Sequence, residues 1–150
     1  MLYIFLIACG DAPPADLIDE KVSHKQNLVT HLSLRDQKLS CASLSSPQLQ
    51  KELTDIVDTV ERPPWVPMRA AACLTELYPS TSEEDLIRWI SSPDKKGLAF
   101  LIAGQISKIP DASAIPIAKA GLRGPHARDI RIRLEKQNDV RLKSLLSPTP

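Results

Sequence analysis

GLAFLIAGQISKIPDASAIPIAKAGLRGPHA, residues 97–127, holds two apolar helix patterns separated by Pro110 and closed by a Gly-Pro junction. Reading outward, the same layout recurs upstream around Pro79 and Pro47, so the three prolines stand 31 and 32 residues apart. Six and seven positions before each proline the residues are small: Cys41 and Ser40, Cys73 and Ala72, Gly104 and Ala103. Just before it come Leu44, then Leu77 and Tyr78, then Ile106 and Ile109. Six or seven positions after it come Leu53, Leu86 and Ile117, followed by Ile56, Trp89 and Ala120 and by Val57, Ile90 and Leu122. A period of about 31 to 32 residues with two helical patterns in each is the signature of an α-solenoid, because a lone helix pair leaves an apolar face that only a neighbour can cover. The expected fold is therefore all-α, an array of about four helix pairs in which the small residues let successive first helices approach closely.

The composition agrees. A chain of 150 residues, 43% hydrophobic, can bury a core in one domain. Aromatics are only 4%, and no segment alternates Val, Thr and Tyr at a period of two, which argues against a sheet. The expected helices run over 33–45 and 47–61, 67–77 and 82–92, 96–108 and 112–122, and 126–137 and 139–146. Ser46 is an expected N-cap ahead of Pro47, and Asp111 another. Ser80-Thr81-Ser82 precede Glu83, Glu84 and Asp85, three acids suited to the positive end of a helix dipole. The linker Arg62-Pro63-Pro64-Trp65-Val66-Pro67 breaks any helix between the first two pairs. Upstream, Leu17, Ile18, Val22, Leu28 and Val29 support a short helix from Pro14 to Val22.

The stretches VPMRAAACLTELYPSTSEEDLIRWISSPDKK (66–96) and 97–127 resemble HEAT repeats of the short type also found in bilin lyases. Residues 34–62 are a weaker copy, and 126–146 resemble a truncated terminal copy. The resemblance implies a curved surface that binds another protein and carries no chemistry of its own.

At the other end, Met1 to Ala8 is an apolar run leading through Leu6-Ile7-Ala8 into Cys9, which resembles a bacterial lipobox. The resemblance implies cleavage before Cys9, a diacylglyceryl group on its thiol and an acylated amine, and two or more chains anchor stably. Gly10-Asp11-Ala12-Pro13-Pro14-Ala15-Asp16 then reads as a polar tether, extended by its prolines. Asp after the cysteine would imply inner-membrane retention. Gly10 stands there, so the resemblance leans to the outer membrane, facing the periplasm. A complete signal peptide has a basic n-region and a longer apolar stretch, so either a leader begins upstream or residues 1–8 form a short buried helix. Eight residues do not span a bilayer, which takes about 20. The domain plan is thus a signal-peptide-like segment at 1–8, lipidation site and tether at 9–30, repeat domain at 31–146 and tail at 147–150.

Cys41 and Cys73 occupy one level of consecutive repeats. Packed helix axes lie about 8–10 Å apart and a disulfide needs Cα atoms within about 7 Å, so both are expected as buried thiols. No Cys-x-x-Cys or His-rich spacing suggests zinc, and no metal or cofactor is expected. His24, His31 and His126 form no catalytic set, and the residues of Glu83-Glu84-Asp85 fan around a helix instead of converging.

These features define a non-enzymatic, membrane-tethered scaffold for a protein partner, with no small-molecule substrate. Its expected contact residues are Trp65, Arg88, Lys119 and Arg123, with Gln50 and Asp55 on the same second-helix face. The alternatives are cytoplasmic: a bilin-lyase-like protein acting on a cofactor-bearing protein, or a nucleic-acid binder. The second rests on eight basic residues between Lys119 and Lys143 (Lys119, Arg123, Arg128, Arg131, Arg133, Lys136, Arg141, Lys143) against the three acids Asp129, Glu135 and Asp139. Interleaved Ile130, Ile132 and Leu134 and a net charge of only +1 weigh against it.

Overall fold

The computed structural model describes residues 15–34 and 40–147, with side chains from residue 24 onward. Among them there is no strand. Eight α-helices follow in chain order: α1 (Ala15–Ser33), α2 (Leu49–Thr59), α3 (Trp65–Leu77), α4 (Glu83–Ile90), α5 (Lys96–Gln105), α6 (Asp111–Arg123), α7 (Ala127–Gln137) and α8 (Lys143–Leu146). Short 3-10 turns lie at Cys41–Ser43, Ile106–Lys108 and Val140–Leu142.

Each helix forms where an apolar stripe meets a partner. In α2, Leu49, Leu53, Ile56 and Val57 recur at helical spacing and are all buried. In α4 the buried set is Leu86, Trp89 and Ile90, matching α2 one period later. Pro67 falls in the first turn of α3, where its missing N–H costs nothing. Pro116 lies inside α6; the carbonyl it leaves without a helical donor is that of Ala112, an exposed residue open to water. Asn138, at φ 50°, ends α7 in the left-handed region that Asn tolerates.

The odd-numbered helices form one row, α3 packing on α1 and α5, and α5 on α7. On the other side α2 lies against α3, α4 against α5 and α6, and α6 against α7. One continuous core runs between them, from Leu28 and Leu32 of α1 to Leu142 near the C-terminal end. The side-chain links between successive helix pairs span 30 to 38 residues, about one period. Gln50 donates to the Thr81 carbonyl, 31 residues on, and Trp89 to Asp58, 31 back. Thr75 bonds Gln105 at 30, Gln137 donates to the Ala103 carbonyl at 34, and Arg141 to that of Ile109 at 32. Every helix pair is thus fastened to the next one in the chain.

Several expectations need correction. Cys41 and Cys73 are a disulfide, with Cα atoms 5.2 Å apart. The error lay in using helix-axis separation as if it were Cα separation. Each Cα stands about 2.3 Å off its axis toward the partner, so facing Cα atoms of helices 8–10 Å apart approach to about 3.4–5.4 Å. Moreover, Cys41 sits in a 3-10 turn pressed on α3 and not in a full helix. The helix expected over 33–45 does not form as such: α1 ends at Ser33 and residues 41–43 make that single turn. The serines around it explain this, since Ser43 Oγ donates to the Ser40 carbonyl at 2.7 Å, a local bond that competes with helix. The helix expected to stop at Val22 continues to Ser33, because Leu28 and Leu32, one turn apart, both reach the core. Asp111 does not cap α6; it is the first helical residue, and its carboxylate is taken by Arg141 at 2.6 Å. Nor is Ser46 the N-cap of α2: the helix begins at Leu49 with Gln48 at the cap and no side-chain cap bond, and Ser46 Oγ accepts from the Gln48 N–H at 3.2 Å in the turn before it. In the third repeat the buried small residue is Ala103, while Gly104 is only half-buried.

Candidate functional site

The predicted contact residues fall into two groups. Trp65 begins α3 half-buried and donates its indole N–H to the Ser33 carbonyl at 3.3 Å, sealing the joint between α1 and α3. Gln50 and Arg88 also bind within the fold. Gln50 donates to the Thr81 carbonyl at 3.1 Å and to Ser82 Oγ at 3.3 Å. Arg88 is bidentate on Asp58 at 3.0 and 2.8 Å, bonds Asp85 at 2.7 Å and lies 5.2 Å from the Trp89 ring centroid. By contrast Lys119 and Arg123, one turn apart on α6, are exposed, as is Asp55 on α2. Cys9 lies outside the described residues, as does the whole lipobox.

Asp58 is the busiest polar centre of the second-helix side. It accepts from Arg88, from the indole of the fully buried Trp89 at 2.8 Å, and from Lys95 at 3.4 Å. Burial alone would raise its pKa, yet the Arg88 and Trp89 hydrogen bonds and the Arg88 and Lys95 charges outweigh it and hold the carboxyl below its ordinary value. Lys95 also caps the end of α2 through the Val57 carbonyl at 3.1 Å. No signal in composition reveals this centre, but the repeat does: Asp58 precedes Arg88 and Trp89 by one period.

The basic C-terminal stretch divides in the same way. Arg141 is spent inside, on Asp139, on Asp111 and on the carbonyls of Ile106, Ser107 and Ile109. Its hydrogen bond is the chief reason that the Asp139 carboxyl sits below its ordinary pKa. Arg131 donates to the Leu146 carbonyl at 2.8 Å. Arg128, Arg133 and Lys136 remain exposed on α7.

The last two border a groove of about 350 Å³ between α5 and α7, lined by Lys96, Phe100, Asp129, Ile132, Arg133 and Lys136. On α7 the lining residues are at i, i+3, i+4 and i+7, one stripe of the helix. On α5, Lys96 and Phe100 are one turn apart. Ile132 is 45% exposed, one of three large apolar side chains so exposed among the described residues. Lys96 pairs with Asp129 at 3.1 Å and lies 5.3 Å from the Phe100 ring centroid. Edge-on to that ring, His126 donates from Nε2 to the Pro93 carbonyl, 3.2 Å away, and fixes the entrance of α7. The sequence reading favoured the second helices and passed over this groove. An isoleucine on the otherwise polar stripe 129, 132, 133, 136 was its signal.

A second groove, of about 470 Å³, runs between the α2–α3 linker and the start of α5, past Val60, Pro64, Met68 and Leu98. Among the described residues no group of three or more His, Cys, Asp or Glu is arranged to hold a metal ion. No helix among them is long and apolar enough to cross a membrane.

What fold and site define is an all-α protein whose helix pairs are joined in chain order and whose outward features are grooves and charges. Compared with protein-family models, curated proteins and solved structures, the chain finds no match in any of the three.

Proposed function

We propose that the chain is a small α-solenoid of about four HEAT-like helix pairs, tethered to a bacterial membrane through acylated Cys9, that binds a protein partner at the periplasmic face of the outer membrane without catalysing a reaction. The observation that carries the reading is the spacing of the side-chain links between successive helix pairs, at 30 to 38 residues, from Arg69–Leu32 and Gln50–Thr81 through Asp58–Trp89 and Lys95–Val57 to Gln137–Ala103 and Arg141–Asp111. Links of one period and no more are what an array needs, since each repeat touches only its neighbours. Such arrays present extended surfaces suited to binding.

The Cys41–Cys73 disulfide supports the compartment. Disulfides persist in the periplasm and other oxidising spaces and are rare in the cytosol. A lipid-anchored periplasmic domain would keep this bond.

Expression from the native locus, upstream codons included, followed by intact-mass measurement and detergent partitioning, tests the tether. The expected product is a detergent-phase species that begins at acylated Cys9 and carries one internal disulfide. A soluble species that still begins at Met1, with reduced Cys41 and Cys73, would overturn both anchor and compartment.

A further inference from the structure

We propose that the groove between α5 and α7 is the partner-binding site of this scaffold and that it takes an acidic protein segment inserting an apolar side chain between Phe100 and Ile132. The inference rests on the scaffold reading above. Three observations select the groove and its occupant. First, Ile132 is 45% exposed within a recess, beside the half-buried Phe100. Apolar anchors set in a recess and rimmed by charge are the usual form of a contact hot spot.

Second, the rim is cationic. Of the four charged lining residues on hand, Lys96 and Asp129 neutralise each other at 3.1 Å. Arg133 and Lys136 have no carboxylate within ion-pair distance among the described residues, and Arg128 stands one turn before Ile132 with none either. Nearby cations that the fold could have used for itself, Arg131 and Arg141, are bound inside. Charge complementarity therefore calls for carboxylates on the partner.

Third, the guanidinium of Arg133 lies across α5 beside Gly104, at the edge of the groove. Its Nε lies 3.0 Å from where a Cβ on Gly104 would be, so the glycine leaves the space in which the side chain lies across α5. A larger side chain at position 104 would displace the guanidinium from the groove edge. The same features disfavour a phosphodiester backbone, which would bury Phe100 and Ile132 against nothing apolar, and a flat bilayer, which would not fill a recess of about 350 Å³.

The test titrates ¹⁵N-labelled protein with the peptide acetyl-Glu-Glu-Leu-Glu-Glu-Leu-Glu-Glu-amide, with a second peptide in which both leucines are glycine, and with a twelve-nucleotide oligothymidylate. The first peptide is expected to shift the amides around Phe100, Ile132 and Arg133 with a Kd below about 1 mM, weakening with salt. Replacing both leucines, or introducing Ile132→Asp or the pair Arg133→Glu and Lys136→Glu, should weaken it about tenfold or more. These side chains are exposed, and an unchanged melting curve verifies that the variants fold. Shifts confined to another surface, no shift at 1 mM, or tighter binding of the oligothymidylate in the groove would each overturn the proposal. Photo-crosslinking in intact envelopes separates the two readings, with the crosslinker replacing Ile132 in one strain and Lys119 in another. Protein adducts from position 119 alone would sink the groove and leave the scaffold standing, whereas adducts from neither position would sink the scaffold itself.

Discussion

Breaking the Cys41–Cys73 bond is the perturbation with the largest expected effect per atom changed. The bridge closes a loop over a sequence separation of 32 residues. In the chain-entropy treatment such a loop restricts the unfolded ensemble by about 12 cal/mol/K, or about 3.7 kcal/mol at 25 °C. That is a large fraction of the roughly 5–15 kcal/mol by which a domain is stable. At about 2–4 °C per kcal/mol for a chain of this size, the melting temperature should fall by about 7–15 °C. The assay compares melting by circular dichroism of the oxidised protein, the dithiothreitol-treated protein and the Cys41→Ser, Cys73→Ser double variant, all on a Cys9→Ser background so that only two thiols are in play. Reduced protein and double variant should melt together, well below the oxidised form. Maleimide labelling with peptide mapping reads the bond directly. If both cysteines label in the oxidised, folded protein, or if the three melting curves coincide, then the facing-Cα argument is wrong and the thiols merely fill space.

Other substitutions probe the non-covalent links. Asp58→Ala strands the buried indole N–H of Trp89 and leaves Arg88 only Asp85 and Lys95 only the Val57 carbonyl, so urea unfolding should show a loss of about 1–3 kcal/mol. Acid sensitivity follows from the same residue and from Asp139: both carboxyls have folded-state pKa values below their ordinary ones, so their contribution is complete above about pH 5 and lost as pH falls through the lower, folded values. The urea midpoint should be flat from pH 7 to about 5 and drop below about pH 4, and Asp58→Asn should flatten part of that drop. Two glycines should respond in opposite directions in thermal melts. A Cβ on Gly121 would stand 2.8 Å from Ile90 Cδ1 and 3.3 Å from Ile130 Cδ1, so Gly121→Leu should cost about 3 kcal/mol by overpacking. Nothing lies within 4 Å of a Cβ on Gly97, so Gly97→Ala should stabilise α5 by about 0.5 kcal/mol.

Much of the helix plan was legible because it is written in two independent periods. Burial every three to four residues marks each helix, and the recurrence of prolines about 31 residues apart marks the pairs. Where both periods agree, as at Leu53 and Leu86 or Ile56 and Trp89, the residues are fully buried. The third copy obeys less well: Ala120 and Leu122 are half-buried, and the interior position passes to Gly121, which lets Ile90 and Ile130 approach. The first copy obeys least, since the serines from Ser40 to Ser46 bond locally and leave a 3-10 turn where a helix was expected. The grooves were not legible, because pattern reading identifies what is buried and says little about which polar residues share an open face. Phe100 and Ile132 lie 32 positions apart, so only the stacking of α5 on α7 brings them to one recess.

The two ends of the helix stack meet the same physical problem in different ways. An interior pair is covered on both sides and can rely on apolar packing, as α3, α4, α5 and α6 do. In the proposed array a terminal pair has one neighbour only and correspondingly less apolar area to hold it. At the C-terminal end α8 is four residues long, too short to bury a useful stripe. The fastening there is Arg141, whose guanidinium is distributed over two carboxylates and three carbonyls of the preceding turn. At the other end α1 packs on α3, and the turn Cys41–Ser43, which also lies on α3, is held there by the covalent bond to Cys73. Arg69 adds bonds to the carbonyls of Leu32 at 3.3 Å and Leu34 at 2.5 Å. It follows that the chain should unfold from its N-terminal end once reduced, because that fastening is lost while the Arg141 cluster is untouched. Hydrogen exchange on the reduced protein should therefore rise first in α1 and α2, with α5 to α7 protected. Uniform loss of protection along the chain would show that the pairs do not act as separate units.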